Sequence, residues 1–65
     1  MEKMDESIFE FLSNHPLSSS KEIFDGIATD KGYATIKRTL NHLIELEFLV
    51  VSDNGKGTKY KLSNS

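Results

Sequence analysis

The chain contains no cysteine, so a disulfide framework is excluded. Stability must come from the packing of aliphatic and phenylalanine side chains. Its two histidines, His15 and His42, stand apart and belong to no cluster with ligand spacing, so no metal centre is expected. No stretch approaches the roughly 18 apolar residues that a membrane span requires. The start, MEKMDESIFEFL, also lacks the basic opening and long apolar run of a secretory leader. A soluble, cytoplasmic protein is the expectation, with which the lack of cysteine agrees. Catalytic constellations are missing too. No serine, threonine or carboxylate sits in a motif with a base, and GKGTK has neither the GxxxxGK[ST] spacing nor the following helix of a phosphate-binding loop. No enzyme activity and no cofactor are expected. At 65 residues the chain has room for one domain with one small core, because a chain of this length buries only about 60% of the surface its unfolded form exposes.

What is present is charge, unevenly spread. The formal net charge is −2, but residues 1–30 hold Lys3 and Lys21 against seven carboxylates, a balance of −5. Residues 31–65 hold six cations against Glu45, Glu47 and Asp53, a balance of +3. The positive half coincides with a strongly patterned helix and a glycine-containing hairpin.

Hydrophobic periodicity predicts three helices. The first spans residues 4–13, with Met4, Ile8, Phe11 and Leu12 on one face, and is stopped by Asn14-His15-Pro16. Leu17-Ser18 reads as a short extended segment able to pair with the later hairpin. Ser19 stands three residues before Glu22, the spacing of a capping box, and opens a helix over 20–28 whose inward residues are Ile23, Phe24 and Ile27. Gly26 reads as a weak point where this helix prepares to turn. The third helix, 33–47, has the clearest period: Ile36, Leu40, Leu43 and Ile44 share a face, and Ala34, Arg38, Asn41 and Glu45 point the other way. A hairpin over 48–62 follows, with Asp53-Asn54-Gly55-Lys56-Gly57 as its turn. Thr58, Tyr60 and Leu62 are expected inward, and Lys59 and Lys61 toward solvent. The expected fold is α+β, mainly α: three helices with a small antiparallel sheet, in a single domain over 1–65.

The first two turns of the third helix present Thr35, Lys37, Arg38 and Asn41 together. Arginine pairs with guanine or clamps phosphate, asparagine reads adenine, and threonine with helix N-terminal amides holds a phosphate; the pattern therefore points to double-stranded DNA. An ordinary solvated helix face accounts for the same residues. Lys56 and Lys59 on the hairpin suit the backbone beside the groove, whereas Lys61 reads as protection of a strand edge. Tyr33 stacks on a sugar or caps the contact between the second and third helices. Tyr60 reads as a core residue, and His42 adds a phosphate contact only when protonated.

From Ser19 to Leu62 the chain resembles bacterial winged helix-turn-helix domains of the transcription-regulator type. The matching segments are SSKEIFDGI, YATIKRTLNHLIELEFLVV and GKGTKYKL. They also resemble the C-terminal winged-helix domains of Fic-family proteins, in which the attached domain performs nucleotidyl transfer. The resemblance implies DNA binding, with the third helix in the major groove and the wing on the flanking backbone; Thr35, Lys37, Arg38, Asn41 and Lys56 take the contacting roles. The chain departs from that pattern in its negative net charge. It also lacks the further helix through which such regulators dimerise on paired half-sites. The contrasting expectation is a protein-interaction or regulatory module of a larger protein, with the acidic first helix as its contact face.

Overall fold

In chain order the elements are α1 (Lys3–Asn14), α2 (Ser20–Gly26), α3 (Tyr33–Glu45), β1 (Leu49–Asp53) and β2 (Thr58–Leu62). This computed structural model describes residues 2–53 and 57–63. The architecture is α+β and mainly helical, in the order expected of a winged helix. Among the described residues no helix is long and apolar enough to cross a membrane.

α1 carries Asp5 and Glu6 in its first turn, where carboxylates favour the positive end of the helix dipole. Its last turn closes when the His15 amide donates to the Phe11 carbonyl at 2.8 Å, and Pro16 allows no continuation. The capping box of α2 forms as its spacing requires. The Glu22 amide donates to Ser19 Oγ at 3.1 Å, and the Ser19 amide donates to Glu22 Oε1 at 2.8 Å.

Two helices stop earlier than their periodicity suggests. α2 was expected to reach residue 28 but ends at Gly26, with Ile27 as cap and Ala28 in the left-handed region at φ 53°. α3 was expected to reach residue 47 but ends at Glu45 with Leu46 as cap, and Glu47 takes φ 66°. Beyond that cap the Glu47 amide donates to the Ile44 carbonyl at 2.9 Å, and the Phe48 amide to the Leu43 carbonyl at 3.0 Å. This pair of bonds is a Schellman motif. Neither left-handed position is a glycine, so the usual signal for that geometry is absent, and only Gly26, read as a weak point, marks the end of α2.

β1 and β2 pair antiparallel, with Leu49 opposite Leu62 and Val51 opposite Tyr60. The strand starts at Leu49, one residue later than expected, although the Ser63 amide still donates to the Phe48 carbonyl at 3.1 Å. The outer edge of β2 is occupied by Ser18, as its extended character suggested. The Tyr60 amide donates to the Ser18 carbonyl at 2.8 Å, and the Ser18 amide returns a bond to the Tyr60 carbonyl at 3.2 Å. Each element contributes to one core: Ile8 and Leu12 from α1, Ile23 from α2, Ile36, Leu40 and Leu43 from α3, Leu49 from β1 and Tyr60 from β2. Thr58, expected inward, is exposed. Burial along β2 is complete only at Tyr60 and is lost at the end next to the turn.

Candidate nucleic-acid interface

α3 is held by the burial of Ile36, Leu40 and Leu43, each no more than 1% exposed. That anchoring fixes which residues face out. Ala34, Lys37, Arg38, Asn41 and Glu45 are all exposed, as the 100° step from the buried stripe requires. Lys37, Arg38 and Asn41 thus share one solvent-facing surface. Thr35 lies at its margin, half-buried, and its carbonyl accepts from the Thr39 hydroxyl at 2.9 Å. At the head of α3, Gly32 provides no side-chain cap, and the Thr35 and Ile36 amides turn back to the Gly32 carbonyl at 3.1 and 3.2 Å. The Thr35 amide is therefore already used within the helix.

Tyr33 does the inter-helix job. Its ring meets Phe24 edge to face, with centroids 5.5 Å apart, and its hydroxyl shares a hydrogen bond of 2.7 Å with Ser20 Oγ. With 42% of its surface still exposed, it clasps α2 to α3 at the border of the cationic surface.

On β2, Lys59 was expected to point freely into solvent, but it is half-buried and paired: its Nζ lies 3.7 Å from Glu22 Oε1 on α2. The hydrogen bond from the Ser19 amide, and next the Lys59 ammonium, hold the Glu22 carboxyl below its ordinary value of 4.5. Lys61 is also half-buried rather than extended into solvent. Lys56 lies outside the described residues.

Four residues that the sequence did not connect with α3 stand beside it. Thr35, Arg38, Thr39 and His42 line an open depression together with Lys31, Glu2, Met4 and Asp5. The link is made by Met4, whose Sδ lies 3.4 Å from the Thr39 hydroxyl oxygen. The only signal for it in the sequence is the apolar character of Met4, which shows that the residue packs but not against what. Among the described residues no group of three or more His, Cys, Asp or Glu side chains is placed to hold a metal ion.

Comparison with protein-family models, with curated proteins and with solved structures finds no match.

Proposed function

We propose that this domain binds duplex DNA, with α3 in the major groove and residues 53–59 on the flanking backbone. It acts as a binding module without chemistry of its own, in the cytoplasm and in transcriptional regulation. The observation that carries this reading is the joint exposure of Lys37, Arg38 and Asn41 on one face of a helix whose opposite face is locked into the core. Those side chains supply a phosphate-binding ammonium, a guanidinium that fits guanine O6 and N7, and an amide that fits adenine N6 and N7. Thr35 and Tyr33 border that surface, and Lys56 and Lys59 would serve the backbone. For Lys59 this requires exchange of its carboxylate partner for a phosphate.

The test is an amide NMR titration with a mixed-sequence duplex at low and near-physiological salt, on the native chain and on Arg38→Ala. Binding through α3 gives salt-sensitive shifts centred on residues 33–42, and Arg38→Ala weakens affinity by about tenfold, the order expected for one bidentate base contact, while the spectrum stays folded. Without any shift at low salt the DNA reading fails. The surface then best suited to a partner is the combination of exposed Glu6 and Glu10 on α1 with exposed Leu46, Phe48 and Val51. That combination favours the second reading, a protein-interaction or regulatory module attached to a larger protein such as a Fic-family enzyme.

A further inference from the structure

The outward surface of α3 has two edges of different electrical character. One, through Ala34, Lys37 and Asn41, is open to solvent. The other, through Thr35, Arg38 and His42, is overlooked by the first turn of α1, because the contact of Met4 with Thr39 brings Glu2 and Asp5 to the rim of the same depression. These two carboxylates are three residues apart and so lie on one side of their helix. The ion pair among the described residues is Lys59 with Glu22, so neither Glu2 nor Asp5 is neutralised by a direct contact with Arg38 or Lys31.

We propose that Glu2 and Asp5 are specificity-determining residues that orient α3 on DNA. Their charge repels phosphates from the Thr35–Arg38–His42 edge, so the backbone is met on the Lys37 side, and the Arg38 guanidinium is kept for a base edge instead of a phosphate clamp. The inference rests on the DNA-binding reading and adds an orientation to it. The consequence is a site that gives up non-specific affinity, which comes from phosphate contacts, while retaining base readout.

Glu6 provides a matched control. It lies in the same first turn and is exposed, and it has the same charge and the same favourable placement at the helix dipole, but it does not line the depression. Binding of a mixed-sequence duplex by fluorescence anisotropy is measured across a salt series for the native chain and for Asp5→Asn, Glu2→Gln/Asp5→Asn and Glu6→Gln. Thermal midpoints establish that each is folded. One unit charge acting through water at the separation of neighbouring side chains alters affinity by about threefold at low salt, a gain that vanishes at high ionic strength. Asp5→Asn should therefore bind about threefold more tightly than Glu6→Gln. The double variant should bind about tenfold more tightly than the native chain and steepen the salt dependence by about one phosphate contact. Adding Arg38→Ala to the double variant should abolish the extra slope. If Asp5→Asn and Glu6→Gln behave alike while the native chain binds, the orienting role is overturned and DNA binding stands. If no protein binds at low salt, the double variant included, both fail. If only the double variant binds, the native chain is not a DNA-binding domain and both fail.

Discussion

At the scale of single residues, two positions carry backbone or contact demands that their side-chain chemistry does not advertise. A Cβ placed on Gly26 would collide with the Phe11 ring, lying 2.7 Å from Cδ1 and 2.9 Å from Cζ and nearer still to Cε1. The glycine is thus a close contact of α2 with α1 as well as the residue at which α2 ends. The Phe11 ring also stacks on His15 with centroids 4.5 Å apart, so a shift of the ring gives up that contact or carries His15 with it. Alanine gains about 1 kcal/mol of helix propensity at such a site, but overpacking costs about 1–3 kcal/mol. Gly26→Ala should destabilise the domain in urea unfolding, and in a Phe11→Leu background the same change should become neutral or favourable. Glu47 is the converse case, a charged residue in the left-handed region at φ 66°. It also places a carboxylate at the negative end of α3. Glycine removes the steric cost of about 1–2 kcal/mol and gives back part of it as unfolded-state entropy. Glu47→Gly should raise stability by about 0.5–1 kcal/mol, read as an upward shift of the thermal midpoint.

At the scale of elements, α2 shows how far local spacing reaches. The Ser19–Glu22 box was legible because both partners lie within one turn. The second partner of Glu22, Lys59, was not, since strand alternation assigns a lysine to solvent and says nothing of which helix lies beneath. Period and capping likewise located all three helices and the hairpin, but the ends of α2 and α3 were misjudged because Ala28 and Glu47 adopt left-handed geometry without glycine. The shared position of Glu22 has a pH signature. Its carboxyl is held below 4.5 in the folded chain, by the Ser19 amide first and by Lys59 next. A depressed folded value contributes stability that is present above the unfolded value and is lost as the pH falls through the lower, folded one. Urea midpoints should therefore drop more steeply below pH 4.5 for the native chain than for Glu22→Gln, with the two profiles parallel above it. Equal profiles would show that the box and the ion pair do not distinguish the charged carboxylate from its neutral form.

At the scale of the whole molecule, segregation of charge along the chain does not become segregation in space. The acidic first half of the sequence returns to the basic second half at two places: Glu22 beneath Lys59, and Glu2 with Asp5 beside Arg38. The exposed face of α3 was legible from helical period alone, because its opposite face is apolar at every expected position. What surrounds that face depends on the packing of α1, to which no local pattern speaks. The Ser18–Tyr60 bridge belongs to this scale as well. It joins positions about forty residues apart, so its closure carries the loop entropy of most of the chain, whereas the α2–α3 and β1–β2 contacts close short loops. Folding in time should follow that ordering. The helix pair and the hairpin assemble early, Ser18 docks on β2 at the end, and the turn between α1 and α2 is the last part of the backbone to stop exchanging with water.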